Sequence, residues 1–220
     1  MRIAFKEWAV VVDALGAGDQ CLLLRKGGIA EGANGFSVEH QRFLLFPTGF
    51  HQQRESVVPG AQRRFDQMAP IPQAQTEVCL EYFAEVTESL VLELPDTMDR
   101  LRGLHVWRDE VIEKRFSWGG QRGLHALVVR VHRLAGSVRL PMLAAYGGCK
   151  SWVELESDIE TGGASPVLSD ERFAEEVCRF RDCVGWTGEQ GGGVCVGDSK
   201  NDGAVPAGCQ EKGGGCNFHD

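Results

Sequence analysis

The sequence predicts an α+β protein: a single domain with a mixed, mostly antiparallel sheet and flanking helices, followed by a disordered C-terminal tail. Two segments alternate apolar and polar residues as half-buried strands do. Strands and helices do not alternate as regular βαβ units, which argues against a purely parallel sheet. From Gly185 onward there are 11 glycines in 36 residues and few aliphatic side chains. The predicted domain therefore covers residues 1–184 and the predicted tail covers residues 185–220.

The N-terminal segment predicts a helix. Phe5, Trp8 and Leu15 recur at helical spacing, and Gly16 is placed to end the helix. The β-branched residues that follow Ala9 leave a strand as the alternative for this segment. We therefore expect a first helix that ends at a turn beginning with Gly16.

A β-hairpin is expected next. The apolar run Gln20–Lys26 predicts a strand, and the glycine-rich stretch Gly27–Gly35 predicts a long loop. A second apolar run, Phe36–Phe46, predicts the returning strand, which Pro47 and Gly49 end. The two strands should pair antiparallel, with the loop at their tip.

The remaining elements follow from periodicity. Val78–Val86 alternates as a half-buried strand, and Leu90–Leu94 continues it or pairs with it. Asp96 begins a helix with an acidic first turn. Leu124–Leu134 predicts the clearest internal strand, and Ser169–Val184 predicts an amphipathic helix that closes the domain.

Charge is distributed unevenly along the 220 residues, whose formal net charge is −8. Residues 1–150 contain 18 basic and 17 acidic side chains, whereas residues 151–220 contain 5 and 14. Of the 18 basic residues, 14 are arginines, whose planar guanidinium suits phosphate and carboxylate groups. Ion pairing with surface glutamates is the alternative role for these arginines.

The sequence indicates a soluble, cytoplasmic protein with no membrane partner. Lys6, Glu7 and Asp13 interrupt the N-terminal apolar run, so it does not resemble a signal peptide. No apolar stretch reaches the 18 or so residues that span a bilayer. The eight cysteines are therefore expected to be mostly reduced thiols.

Six residues at the predicted hairpin form the primary candidate binding site. The basic members would hold an anion while a glutamate or histidine transfers a proton, since histidine titrates near neutral pH. In the alternative reading, Glu39 pairs with a neighbouring basic residue and the histidines cap the sheet edge. The candidate residues are Arg25, Lys26, Glu39, His40, Arg42 and His51.

A second set of candidates lies further along the chain. Aromatic residues interleaved with arginines can stack on and neutralise nucleotides, although Trp107 can equally be a core anchor. Cys149 beside Lys150 is either a nucleophile with a lowered pKa or a buried, inert thiol. The secondary candidates are His105, Trp107, Arg115, Arg130, Cys149 and Lys150. The C-terminal cysteines lack paired Cys-x-x-Cys spacing, so neither a metal nor another cofactor is predicted.

Several stretches carry a family resemblance. They are Lys6-Glu7-Trp8, the segment Cys21–Gln52 that contains LLLRKGG and FLLFPTGFH, LHVW at Leu104–Trp107, and GGCKSW at Gly147–Trp152. Over residues 4–158 the chain resembles a bacterial family known as domain of unknown function 1802. That family has no assigned catalytic residues. Some relatives are associated with a restriction-endonuclease-type domain, which implies a role near DNA or in restriction–modification.

Three functions stay open at this point. The favoured one is a non-enzymatic module that binds DNA or RNA, or a modified base within it, through the basic hairpin. The second is a small hydrolase or nuclease-like enzyme that uses the neighbourhood of His40 and His51. The third is an interaction subunit of a larger complex, which the acidic C-terminal part would suit. The sequence does not predict the oligomeric state.

Overall fold

The computed structural model describes residues 1–26, 37–49, 51–68, 76–118, 123–148 and 150–186. The predicted loop at 27–35, Cys149 and the predicted tail from residue 187 onward lie outside the described residues. Within the described part, no helix is long and apolar enough to cross a membrane.

The described residues form one mixed, mostly antiparallel sheet of seven strands, which confirms the predicted fold class. The spatial order is β2-β5-β4-β3-β1-β6, and β7 pairs with β5. Only β1 and β3 run parallel among the paired strands of the described chain. The strands are β1 Ile3–Trp8, β2 Leu22–Arg25, β3 Arg42–Thr48, β4 Glu77–Leu92, β5 Leu124–Pro141, β6 Trp152–Glu154 and β7 Ser165–Pro166.

Helices α1 to α5 cover one side of the sheet. Residues from all five contribute to the core cluster that includes Phe5 and Phe43. A second core cluster on the other side is covered by chain between Met142 and Ala164. The helices are α1 Ala9–Ala17, α2 Pro59–Gln67, α3 Pro95–Arg100, α4 Asp109–Ser117 and α5 Asp170–Val184.

The predicted first helix is wrong in its first half, because Ile3–Trp8 is strand β1. This strand lies between β3 and β6 and is buried on both faces, so its apolar residues show no period of two. Helix α1 then ends at Gly18, which has a left-handed backbone (φ 76°), rather than at Gly16. Gly16 has another role: a Cβ there would lie 2.2 Å from Cζ of Tyr82, so it allows α1 to pack closely on β4.

The predicted hairpin is also wrong, because β2 and β3 do not pair. Strand β2 pairs antiparallel with β5, with Leu22 opposite Val128. Strand β3 lies between β1 and β4. Both apolar runs contain a strand, but β3 begins at Arg42 and continues through Pro47 to Thr48, so the predicted bounds Phe36–Phe46 are wrong at both ends. A long connection does not force neighbours in sequence to pair.

Strands β4 and β5 form a long antiparallel pair that bends the sheet. Their register shifts between Leu80 and Tyr82 and again between Val86 and Glu88. Such irregularities increase local twist and bend the strand. The predicted strands Val78–Val86 and Leu90–Leu94 are therefore one continuous strand, β4.

The bend brings the two ends of the sheet together. Arg25, at the end of β2, donates from Nε to Oγ of Ser151, which directly precedes β6, over 3.1 Å. Strands β2 and β6 are at opposite ends of the strand order, so this contact shows that the sheet curls.

The predicted closing helix is confirmed as α5. Ser169 caps it by accepting a hydrogen bond from the backbone N–H of Arg172, and Gly185 ends it with φ 65°. The side chain of Phe180 is buried in the core on the helix-covered side. Because its apolar face packs against the sheet, α5 is part of the same folded unit.

Candidate functional site

A group of buried charges lies where the two ends of the curled sheet meet. We name it the Glu7 cluster and define it as Glu7, Arg25, Arg115 and Ser151. Glu7 is at the end of β1, and its side chain is fully buried. Its Oε1 accepts from the backbone N–H of Trp8 (2.7 Å), whereas its Oε2 is 3.5 Å from Nη1 of Arg25. The ion pair is therefore loose on the Arg25 side.

Solvent reaches Arg25, since 22% of its side chain is exposed, and Arg115 is also only partly buried. Its guanidinium lies 5.0 Å from the centre of the Phe5 ring and also bonds Ser151. Ser151 itself is buried. One face of this guanidinium therefore stacks on an aromatic ring while its edge is held by a hydroxyl and a carboxylate.

Arg115 places a second guanidinium near Glu7, although the two side chains form no ion pair in the described chain. It comes from α4, stacks 3.8 Å from the centre of the Trp107 ring, and donates to the carbonyl of Leu24 (3.3 Å). Burial lowers the pKa of Arg115 to about 10, while Glu7 raises it and Arg25 lowers it further. Arg25 is thus the ion-pair partner of the Glu7 carboxylate, and Arg115 adds a second positive charge near it, so the cluster has one positive charge in excess.

Aromatic side chains frame the cluster. The Trp152 ring packs against Phe5 at 4.8 Å and Phe43 at 5.1 Å between centroids. The Trp8 and Trp107 rings meet edge to face at 4.8 Å. These rings hold the charged groups in a partly dry environment, where electrostatic interactions are stronger than in water.

Two lysines hold the surrounding chain in place. Lys6 Nζ donates to the carbonyls of Tyr146 (2.8 Å) and Gly148 (2.7 Å). Lys26 Nζ donates to the carbonyls of Phe116 (3.1 Å) and Gly123 (2.8 Å), and burial lowers its pKa. Each ammonium therefore joins distant parts of the chain beside the Glu7 cluster.

The structure separates the six primary candidates. Arg25 joins the Glu7 cluster, and the His40 ring lies beside Trp152 at 5.2 Å. Arg42 lies on the opposite side of the sheet, over the Phe83 ring, and pairs with Glu85 at 2.7 Å. The expected gathering of Arg25, Lys26 and Arg42 is therefore not observed, because β2 and β3 are not neighbours.

The two remaining members of that set are exposed. Glu39 accepts a hydrogen bond from the hydroxyl of Ser37 (3.3 Å). His51 is the one non-glycine residue with positive φ (59°) in the described chain. That backbone conformation is uncommon for a residue with a side chain, so His51 occupies a tight turn after β3.

The secondary candidates divide in the same way. Trp107 and Arg115 belong to the Glu7 cluster or its frame, and His105 is buried two residues away from Trp107. Arg130 instead donates to the carbonyl of Leu168 (3.1 Å) and pairs with Asp170 at the start of α5. Lys150 is half-buried, and Cys149 lies outside the described residues.

Sequence reasoning missed Glu7 and Ser151 as site residues. A signal for Glu7 was present, because it is a charged residue within the apolar run of β1. Ser151 carried no signal of its own, since a hydroxyl beside Trp152 is compatible with any loop.

The fold and the Glu7 cluster together define the class of this protein. It is an α+β protein in which a curled mixed sheet holds an arginine–carboxylate cluster inside an aromatic frame. The particular family is shown by a family model, described as "Domain of unknown function (DUF1802)", that matches residues 4–179. The chain belongs to this family. The match extends past the resemblance at residues 4–158 and includes most of α5.

No curated protein matches the chain. Among solved structures, ASCH from Zymomonas mobilis is similar with a TM-score of 0.41 and 11% identity, over 80% of this chain and 93% of that chain. Two mutant forms of that protein give TM-scores of 0.39 and 0.38 at 11% and 12% identity, each covering 80% of this chain and 94% and 96% of theirs. Likeness at this level supports no inference about function.

Proposed function

We propose that this protein is a nucleic-acid-associated binding module and that the Glu7 cluster contacts the nucleic acid. The observation that carries the proposal is the presence of two guanidinium groups, Arg25 and Arg115, near the single carboxylate of Glu7 inside an aromatic frame. The excess positive charge suits a phosphate, and the partly exposed Arg25 can reach it.

The chemistry of the frame supports a nucleotide more than a simple anion. Bases stack on aromatic rings and on guanidinium planes, and each such contact strengthens binding with little dependence on sequence. The Trp152 ring is half-buried and the His40 ring lies against it. A base that stacks in this region would leave its phosphate within reach of Arg25.

Binding can be tested with a matched pair of variants. Affinity for fluorescent single-stranded and double-stranded oligonucleotides would be measured by anisotropy over a range of salt concentrations. Arg25→Gln should weaken binding and reduce the slope of log affinity against log salt by about 0.7 to 0.9, the loss of one phosphate contact. Arg139→Gln removes the same charge from an exposed position on β5, 4.0 Å from Glu77, and should leave the slope unchanged.

Two results would contradict the proposal. One is the absence of oligonucleotide binding at low salt by the wild-type protein. The other is an equal effect of Arg25→Gln and Arg139→Gln, which would mean that only the overall charge matters. A purified protein free of copurifying nucleic acid, judged by its absorbance ratio before and after nuclease treatment, would weaken it further.

A small hydrolase or nuclease-like enzyme is the second candidate function. The observation that favours it is the fully buried Glu7 carboxylate, which has a loose ion pair with Arg25. Arg25 also contacts the Ser151 hydroxyl, and the His40 ring packs on Trp152 in the aromatic frame. Buried carboxylates of this kind can serve as general bases. Oligonucleotide cleavage that His40→Ala abolishes would establish the enzyme and overturn the purely binding role.

The proposed function is contact with nucleic acid, and it does not include a biological pathway. A link to restriction–modification stays a prediction from the sequence resemblance, as does a cytoplasmic location. A role as an interaction subunit would be supported if the protein binds no oligonucleotide yet copurifies with a protein partner.

A further inference from the structure

An open cleft of about 680 Å³ lies between α1, α2 and the segment 103–106. It is separate from the Glu7 cluster, although the two regions are joined by a short stretch of chain: His105 lines the cleft and Trp107 frames the cluster. Three of the residues that line the cleft could contact a ligand: Gly60, Arg63 and His105.

The first turn of α2 presents a free backbone donor to this cleft. The helix begins with Pro59, and no side chain caps its N-terminus. The first backbone hydrogen bonds of the helix are donated by Ala61 and by Gln62 to the carbonyl of Val58. The N–H of Gly60 makes no hydrogen bond to any described residue, so it remains a donor at the positive end of the helix dipole.

His105 adds a second donor on a largely buried ring, whose Nε2 keeps some contact with solvent. Only 7% of the residue is exposed, and its Nδ1 accepts from the backbone N–H of Trp107 over 3.2 Å. Burial lowers its pKa to about 4, so the ring is neutral and carries its proton on Nε2. Within the described chain nothing accepts from this Nε2–H, and the ring lines the cleft.

Arg63 provides the uncompensated charge. Its side chain is exposed on α2 and forms no ion pair with a described residue. The neighbouring Arg64 differs, because it is fully engaged by the carboxylates of Asp13 and Asp19. With those two carboxylates the four charged side chains of the cleft sum to zero, so the attraction for an anion is local to Arg63.

We propose that this cleft is a binding site for a phosphate group, held by the Gly60 N–H, the His105 Nε2–H and the Arg63 guanidinium. Helix N-termini with free N–H groups bind phosphate in many proteins, and a guanidinium adds a charge-assisted bond. The group can belong either to the backbone of a nucleic acid or to a small phosphate-bearing molecule, and both present the same oxygen atoms.

The test titrates inorganic phosphate into the full chain and follows backbone amide resonances by NMR. We expect saturable shifts at Gly60 and in the segment 103–106. Arg63→Gln should weaken phosphate binding about tenfold, the usual value of a charge-assisted hydrogen bond. Arg172→Gln, an exposed helix arginine on α5, is the matched control and should leave the affinity unchanged.

A second variant, Gly60→Ala, tests the site without changing any charge. A Cβ at Gly60 would meet nothing within 4 Å, so Gly60→Ala should fold normally while its methyl group occupies space beside the donor. It should weaken phosphate binding several-fold. Three results would overturn the site. The first is shifts that do not saturate, the second is the same shifts with sodium chloride at equal ionic strength, and the third is an equal change of the shifts by Arg63→Gln and Arg172→Gln.

The source of the phosphate is distinguished by competition. An oligonucleotide without terminal phosphates that displaces inorganic phosphate would assign the site to a nucleic-acid backbone. Displacement by a mononucleotide but not by the oligonucleotide would assign it to a small molecule. Either result supports the site, and the second would do so even if the Glu7 cluster proves not to bind nucleic acid.

Discussion

Arg25 and Arg42 were expected to act together, but they lie on opposite sides of the curled sheet in different surroundings. On the helix-covered side, Arg25 pairs with the fully buried carboxylate of Glu7 and stacks on an aromatic ring. On the other side, Arg42 pairs at 2.7 Å with Glu85, and 53% of the Arg42 side chain is exposed. The closer ion pair is therefore the more solvated one.

This difference shows that ion-pair distance is a poor guide to importance. An exposed pair is screened by water and contributes little, however short it is. Removing one partner of a buried ion pair lowers the free energy of unfolding by several kcal/mol even when the pair is long, because the other charge loses its partner. The two sides of the sheet therefore offer matched substitutions that differ mainly in burial.

The largest expected effect is on stability at Glu7. Glu7→Gln would remove the fully buried carboxylate that pairs with Arg25 and lies near Arg115, and should lower the free energy of unfolding by about 3 kcal/mol. Glu85→Gln makes the same chemical change where 38% of the side chain is exposed, and should cost about 0 to 1 kcal/mol. Urea denaturation of both variants measures the comparison, and equal losses would contradict it.

The pH dependence of stability should differ between two histidines, one on each side. The folded-state pKa of His105 is about 4, below its unfolded value near 6.5, so the unfolded chain binds more protons between these values. Its contribution is complete above about pH 6.5 and is lost as the pH falls toward 4, by up to about 3 kcal/mol. Burial also lowers the pKa of His132, which acts in the same direction.

Two variants separate these contributions. His105→Gln should remove most of the loss of stability between pH 6.5 and 4.5, measured by urea denaturation at each pH. His132→Gln should remove a smaller part, because 19% of the His132 side chain is exposed and Glu85 at 3.3 Å favours the protonated ring. If His132→Gln had the larger effect, the assignment of the buried, neutral imidazole to His105 would be wrong.

The smallest expected effect is at Arg42. Arg42→Gln should change the free energy of unfolding by less than about 1 kcal/mol, since both partners of its ion pair are exposed. In the anisotropy experiment this variant tests whether the opposite side also contacts nucleic acid. A reduction in salt slope equal to that of Arg25→Gln would restore the predicted partnership of the two arginines.

Much of the fold was predictable because it depends on local patterns. The apolar runs of β2 and β3, the alternation in β4 and β5, and the amphipathic spacing of α5 were all visible in the sequence. Strand β1 was missed because a strand buried on both faces loses its period of two. Helix α2 was missed because only Ala61 is buried in it, so the helix shows little apolar spacing.

The candidate site was predictable only in part. Arg25, Trp107 and Arg115 were identified by residue type, but they were assigned to separate sets. Their meeting at Glu7 depends on β2 pairing with β5 and on the packing of α4 against the Trp107 ring. No spacing along the chain contains that information, since the contacting residues are up to 126 positions apart.

The sequence by itself determined the family, the α+β class and the position of most strands, because these follow from local periodicity and from recognisable motifs. Only the tertiary structure decided which strands are neighbours and therefore which charges meet. The physical reason is that the free energy of a strand pair depends on burial against distant partners, and the bulges of β4 and β5 then bend the sheet until β2 and β6 approach. As a result, Arg25 pairs with a buried carboxylate, whereas Arg42 lies at the solvent-exposed surface.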